Sequence, residues 1–226
     1  MQAPNQKFTN PDRQKASLRV GGLATSRFYP WRFCDDDGRG IRALDRRSRQ
    51  FDRNVAIHES GHVVASRLLN LPVAGVTIEI TASGHYGETW SAADRDADAD
   101  VDTLQLVDQL STLMPAPGED RGGVAVELER ASSQVISLLA GVEAEKLFTA
   151  EPLPNTGHDL EEAKAIAGLI VRSPRSIDAY IEFARVEARA LLVEHRDVVL
   201  ALADALLKFR TLDGKQIDDV IKAYQI

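Results

Sequence analysis

The segment His58-Glu59-Ser60-Gly61-His62 constrains this chain more than any other feature of the sequence. Two histidines four residues apart lie on one face of an α-helix, where both imidazoles can hold one metal ion. Glu59 is rotated away from that pair, so its carboxylate can reach water beside the metal without being a ligand. Apolar residues recur at helical spacing on both sides of the segment, which predicts a buried helix that carries a metal site.

Gly61 stands inside this predicted helix, although glycine costs about 1 kcal/mol relative to alanine there. We therefore expect another part of the structure to approach the helix backbone closely at this position. The alternative interpretation of the five-residue pattern is two ordinary histidines on a half-buried helix.

Composition sets the class of protein. With 226 residues, 44% of them hydrophobic, the chain can bury a full core as one large or two small domains. Its single cysteine, Cys34, excludes an intrachain disulfide and a cysteine-based zinc cluster, which fits a reducing compartment.

No stretch reaches the roughly 20 apolar residues of a membrane span, and the N-terminus lacks the apolar core of a secretory signal. We expect a cytoplasmic protein.

The net charge of −7 is unevenly distributed. Residues 1–50 hold eleven Lys or Arg against five Asp, a balance of +6, so the remaining 176 residues carry −13. We predict a partly irregular basic extension over 1–50 and one domain over 51–226. The acidic body argues against nucleic acid as a partner. The extension is either a solvated arm or a contact for an acidic partner or for the chain's own acidic body, and the acidic run 94–102 is interpreted as a solvated loop.

The periodicity beyond the metal helix is mainly helical. Val76-Thr77-Ile78-Glu79-Ile80 alternates like a strand, and a return segment from Tyr86 to Trp90 would complete a small hairpin or sheet edge. Helical spacing predicts helices over 103–114, 124–148, 159–171, 176–196, 198–210 and 214–224. The predicted fold class is therefore mainly α with a small β-element.

Two imidazoles do not complete a catalytic zinc site, which usually has three protein ligands and an open fourth position. Asp159 is a candidate, because a glycine turn delivers it to the start of a helix where the dipole favours an ionised carboxylate. The same aspartate is equally well explained as a helix cap without metal. His158 and Glu145 are rival candidates for the third ligand.

Several segments resemble the FtsH family of membrane-anchored, ATP-dependent zinc proteases. His58-Glu59-Ser60-Gly61-His62-Val63-Val64 resembles the H-E-A-G-H-A-V signature of that family. The other matches keep the family order and extend the resemblance over about residues 51–224: they are the segments Pro72 to Ile78, Leu139 to Leu147, Thr156 to Leu160, Ala201 to Leu207 and Thr211 to Gly214.

The resemblance implies a helical metallopeptidase domain with a small hairpin or sheet beside the active-site helix. It places one zinc per chain on His58, His62 and Asp159, the general base on Glu59, and a further acid near the ligands on Glu145. It also suggests that the strand Val76-Thr77-Ile78-Glu79-Ile80, or its hairpin mate, binds an extended substrate by strand addition. A strand that only closes the fold is the alternative.

Among the chain's departures from the family pattern, two bear on the metal site and on ATP. The loop before Asp159 is two residues shorter and puts His158 beside the aspartate, so either side chain could be the ligand. Residues 1–50 contain neither a membrane span nor a G-x-x-x-x-G-K-[ST] phosphate loop. We therefore expect no ATP to be bound, and cleavage limited to peptides or unfolded segments unless a separate unfoldase delivers the substrate. The sequence leaves homo-oligomerisation open.

The expected activity is that of a zinc-dependent HExxH endopeptidase in which Glu59 is the general base for water. The alternative is a catalytically silent peptide-binding or regulatory module on a peptidase fold. A purely structural zinc is disfavoured, because a closed structural site needs no base and usually takes a fourth protein ligand.

Overall fold

A computed structural model of the protein describes residues 40–81, 84–90, 107–108, 111–112, 120, 122–150, 153 and 157–224. Six helices with full bounds and a three-stranded antiparallel sheet lie in these ranges, which confirms the mainly helical fold class. In chain order the elements are α1 (Gly40–Leu68), β1 (Gly75–Thr81), β2 (Gly84–Trp90), a 3-10 turn (Gly122–Val124) leading into α2 (Ala125–Phe148), α3 (Gly157–Ile170), α4 (Pro174–Glu194), α5 (Arg196–Phe209), β3 (Thr211–Asp213) and α6 (Gly214–Tyr224).

The helix predictions from residue 124 onward are confirmed, and each boundary lies within two residues of its predicted position. The predicted boundary at residue 50 falls inside α1, which runs without a break from Gly40, so the division into two regions stays a prediction. Cys34, the acidic run 94–102 and most of the predicted helix 103–114 lie outside the described residues.

Helix α1 is the central helix of the fold, because α2, α5 and β2 all pack against it. Ala56, Ile57, Val63 and Ala65 are completely buried. The helix ends in a Schellman turn, in which the Leu71 N–H donates to the Ser66 carbonyl at 2.8 Å and Asn70 adopts a φ of 57°. Burial fixes side-chain rotamers, so α1 is a rigid platform for the residues of the H-E-x-x-H segment.

The crossing of α1 and α2 explains Gly61. A Cβ atom on Gly61 would lie 2.6 Å from the Ala140 carbonyl oxygen and 2.7 Å from the Ala144 Cβ. Both distances are well below van der Waals contact, so only glycine lets the two helix backbones approach this closely. The close approach expected from the sequence is the contact with α2.

The sheet lies beside α1 in the order β2-β1-β3. The predicted hairpin is confirmed as β1 and β2, whose register pairs Gly75 with Trp90 and Thr81 with Gly84. Sequence periodicity did not predict β3, a three-residue strand that pairs with Gly75–Thr77 on the other side of β1. The strand is short because Arg210 before it adopts a φ of 66° and α6 begins directly after it.

Two groups of buried apolar residues form the core, and α2 contributes to both. Its Ala140 and Ala144 join the larger core around α1, the sheet and α5, while Ala131, Val135 and Leu139 join a smaller core with α3 and α4. The position of α2 between the two cores brings the first turn of α3 near α1. Among the residues described above, no helix combines the length and apolar character of a bilayer span.

We expect Gly61→Ala to destabilise the protein by roughly 1–3 kcal/mol, because the added methyl group forces α1 and α2 apart. The matched control is Gly168→Ala in α3, where a Cβ would meet only Ile177 Cδ1 at an ordinary 3.8 Å. The control should be neutral or stabilising by up to about 1 kcal/mol through the helix propensity of alanine. Chemical denaturation of both variants measures the difference, and equal effects would contradict the close crossing.

Candidate metal centre

Two imidazoles from α1 and one carboxylate from α3 meet at a single point. The Nε2 atoms of His58 and His62 are 2.9 Å apart. Asp159 Oδ2 lies 3.2 Å from the first and 3.6 Å from the second. Ligand atoms of a tetrahedral zinc ion with bonds of about 2.0–2.1 Å lie ~3.3 Å from one another. The triangle of side-chain atoms therefore has the size of three zinc ligands, and in the described part of the chain it is the one such group of His, Cys, Asp and Glu.

The hydrogen bonds on the far side of each ring fix which nitrogen faces the centre. His62 Nδ1 lies 2.8 Å from the Ser137 carbonyl oxygen, which can only accept, so Nδ1 carries the proton. His58 Nδ1 lies 2.5 Å from Glu145 Oε1 and donates to that carboxylate. In their neutral form both rings would direct Nε2 lone pairs toward each other and toward Asp159, so the arrangement favours a proton or a metal cation between them.

Asp159 reaches the histidines from the first turn of α3, as one of three candidates considered from the sequence. Its neighbour His158 is 73% exposed at the side chain and lies 3.5 Å from Glu162 Oε1, away from the histidine pair. The structure thus brings Asp159 to the centre and leaves His158 outside it. The helix dipole at this N-terminus stabilises the ionised carboxylate that a metal ligand must be.

The carboxylates around the histidines make the site attractive to positive charge. Burial lowers the pKa of His58, but hydrogen bonds to Asp159 and Glu145 outweigh it and raise the pKa to about 10. Burial also lowers the pKa of His62, but the hydrogen bond to Asp159 contributes to a net rise of that pKa. Burial raises the pKa of Asp159, yet its hydrogen bonds to both histidines hold that pKa well below its usual range. The same field would favour a divalent cation.

Two buried glutamates of α2 have different tasks although they stand two residues apart. Glu145 is completely buried, and its second oxygen accepts the Leu153 N–H at 2.5 Å while the first accepts from His58. Glu143 points elsewhere and pairs with Lys146 at 2.7 Å and Arg189 at 2.6 Å, contacts that lower its pKa in spite of burial. Glu145 therefore orients a candidate ligand, whereas Glu143 joins α2 to α4.

Gly141 and Ser137 belong to the site, and sequence reasoning missed both. A Cβ on Gly141 would lie 2.6 Å from His58 Nε2 and would fill the point where the imidazoles meet. Ser137, Gly141 and Glu145 follow at intervals of four residues, so they form one stripe of α2 against the histidines. The four-residue spacing is visible in the sequence, but it indicates site residues only when α2 is known to pack against the histidines.

Glu59 lies between α1 and the sheet and is 6% exposed. Its Oε2 accepts a hydrogen bond from Thr89 Oγ1 of β2 at 2.8 Å. A Cβ on Gly87 would lie 2.5 Å from Glu59 Cγ and 2.7 Å from Cδ, so β2 carries a glycine where the glutamate passes. The negative charge of Glu59 also acts on both histidines. A carboxylate is thus held beside the centre without being one of the three candidate ligands.

The pairing within the sheet limits where a substrate peptide could add as an extra strand. β1 is the central strand, and its residues Gly75–Thr77 are paired on both sides, so a peptide cannot add to β1 there without displacing β3. Val76 and Ile78 are buried in the core. Among the described residues, the outer edge of β2 has no strand against it, and β2 packs on α1 and contacts Glu59 through Thr89. The hairpin mate is therefore the better placed of the two strands.

The donor set fits zinc. Two neutral imidazoles and one carboxylate are a common ligand set of catalytic zinc, and three protein ligands leave the fourth tetrahedral position for water or substrate. Each histidine has the acceptor on its other nitrogen that metal-binding histidines usually have.

The chain is similar in sequence to known zinc metalloproteases. No protein-family model matches the chain. The chain is 26% identical over 197 residues to the ATP-dependent zinc metalloprotease FtsH of Buchnera aphidicola subsp. Acyrthosiphon pisum, covering 76% of this chain and 31% of that protein. It is 26% identical over 200 residues to the FtsH protein of Myxococcus xanthus, covering 77% of this chain and 30% of that protein. It is 24% identical over 197 residues to FtsH 3 of Symbiobacterium thermophilum, again covering 77% of this chain and 30% of that protein. The chain spans about a third of the length of these relatives.

We expect Asp159→Ala to lower zinc affinity by at least about a hundredfold, because one of three ligands and its negative charge are lost. The matched control is the adjacent substitution His158→Ala, which should keep one zinc per chain at nearly unchanged affinity. Competition with a chromophoric chelator measures both. A larger loss in the control would move the third ligand to His158.

Glu145→Gln should weaken zinc binding by about 10–100-fold while the fold is kept. The carboxylate accepts from both His58 Nδ1 and the Leu153 N–H, whereas a glutamine offers one acceptor oxygen and turns its NH₂ group toward the other donor. The same chelator competition, with circular dichroism as a check on folding, measures the effect. Unchanged affinity would show that the His58 contact is not needed for binding.

Proposed function

We infer that this chain, which contains an FtsH-family protease domain, is a zinc metallopeptidase of the HExxH type that hydrolyses peptide bonds without ATP. One observation carries the proposal. The Nδ1 atoms of His58 and His62 both contact acceptors, so the two Nε2 atoms face Asp159 Oδ2 in a triangle of zinc-ligand size.

Each residue of the site has a distinct role in the proposed reaction. His58, His62 and Asp159 would hold one zinc per chain. The chemistry that zinc supplies at such a site is the activation of water and the polarisation of a peptide carbonyl. Glu59 accepts the proton of the attacking water and later delivers it to the leaving amine, so that an amine rather than an amide anion departs. Glu145 holds His58 in the tautomer that keeps Nε2 free for the metal.

The substrate class follows from the sheet. An extended peptide can add to the outer edge of β2, the strand that touches Glu59, through backbone hydrogen bonds that do not depend on sequence. Only unfolded segments or short peptides offer such a backbone. No G-x-x-x-x-G-K-[ST] segment occurs among these 226 residues, and cleavage by this domain without ATP is part of the proposal. A folded substrate would need a separate unfoldase, and the cytoplasmic location and oligomeric state stay predictions.

We expect the zinc-loaded protein to cleave unfolded casein and Glu59→Gln to lower kcat by roughly 10²–10⁴-fold, the usual contribution of a general base. The variant keeps the size of the side chain and all three candidate ligands, so it should bind zinc with the stoichiometry of the wild type. Addition of ATP should change neither rate.

Removal of zinc with a chelator should abolish cleavage, and added zinc should restore it. Two results would contradict the proposal. A zinc-loaded wild type as inert as Glu59→Gln on every unfolded substrate would indicate a peptide-binding module instead, and equal activity of the metal-free and zinc-loaded protein would exclude the metal from the reaction.

A further inference from the structure

We propose that Thr89 of β2 is a positioning residue for Glu59, an inference that rests on the proposed function. Thr89 touches neither the candidate metal ligands nor the reacting atoms in this assignment. It acts by holding the carboxylate that exchanges protons with water. Two features of β2 carry the inference: the hydroxyl of Thr89 and the missing side chain of Gly87.

The contact itself is direct. Thr89 Oγ1 donates to Glu59 Oε2 at 2.8 Å, between residues 30 positions apart in the chain. Glu59 is buried, so this donor replaces a hydrogen bond that the carboxylate would otherwise make to water. A hydrogen bond to an ionised acceptor is also stronger than one between neutral groups. The hydroxyl therefore restrains a side chain that has three rotatable bonds.

The pleat of β2 places both features on the face toward α1. Gly87 and Thr89 alternate with Glu88 and Trp90, and their partners across the hairpin, Ile78 and Val76, are buried in the core. A Cβ on Gly87 would overlap the Glu59 side chain. The strand thus offers an open space at one inward position and a donor at the next. Together they form a cradle for the carboxylate.

The cradle holds both oxygens of Glu59 against β2. Thr89 donates to Oε2, and Oε1 occupies the space that a side chain on Gly87 would fill. A general base must hold its oxygen within hydrogen-bond reach of the proton that it abstracts, and misplacement by about 1 Å can cost a hundredfold in rate. Removing the hydroxyl frees the carboxylate to rotate but leaves the strand edge and the metal ligands in place. The expected defect is in kcat rather than in substrate binding.

Three variants test the inference on the full chain loaded with zinc. Thr89→Val removes the hydroxyl at nearly constant shape and should lower kcat by roughly 10–100-fold with KM within about twofold. Thr89→Ser keeps the hydroxyl and should retain kcat within about threefold of the wild type. Thr211→Val is the matched control, because Thr211 lies on β3 of the same sheet and its hydroxyl contacts Thr77 Oγ1 at 2.7 Å. The control should leave kcat unchanged.

A second readout needs no activity. The ¹³C NMR signal of the Glu59 carboxyl carbon, identified by its loss in Glu59→Gln, should shift in metal-free Thr89→Val and stay in place in Thr211→Val. Wild-type kcat in Thr89→Val, or a loss of kcat that Thr89→Ser shares, would overturn the positioning role.

The outcomes also separate this inference from the proposed function. An inert wild type in which the carboxyl signal still responds to Thr89→Val would overturn the peptidase assignment and support the contact. An active wild type in which neither kcat nor the signal responds would overturn the inference alone.

Discussion

The close antiparallel crossing of α1 and α2 is the contact on which the metal centre depends. Gly61 lets the backbones approach, and the stripe Ser137, Gly141 and Glu145 of α2 then faces the stripe His58, His62 and Ser66 of α1. One helix supplies two rings, and the other supplies the acceptors that set their tautomers and the space between them. A wider crossing would remove the Ser137 and Glu145 contacts together.

The site is assembled from three directions, and each supplies a different kind of group. Helix α1 brings nitrogen ligands and Glu59, the N-terminus of α3 brings an ionised carboxylate, and α2 orients the rings from behind. Glu145 links two of these directions, because it accepts from His58 and from the backbone of Leu153, which precedes α3. A metal ion at the centre would therefore stabilise the arrangement of all three helices, since binding free energy at such a site also contributes to folding.

The small sheet adds the remaining element of the site. Its central strand is shielded by β3 on one side, so the edge that stays available in the described structure belongs to β2, beside Glu59. The same strand offers a glycine and a threonine hydroxyl to the glutamate. Proximity of the outer edge of β2, which pairs with no other strand among the described residues, to a buried base is the geometric basis for the proposed hydrolysis of extended peptides.

The sequence by itself determined what depends on local spacing. The interval between His58 and His62 places two imidazoles on one helix face, and the 3.6-residue and two-residue periods marked the helices and the hairpin. The tertiary structure alone placed Asp159 rather than His158 beside the two histidines, brought Ser137 and Gly141 to them, and revealed β3 and the Thr89 contact. These features join residues far apart in the chain, and no local period encodes which of two adjacent side chains a helix crossing or a strand pleat will turn toward the site.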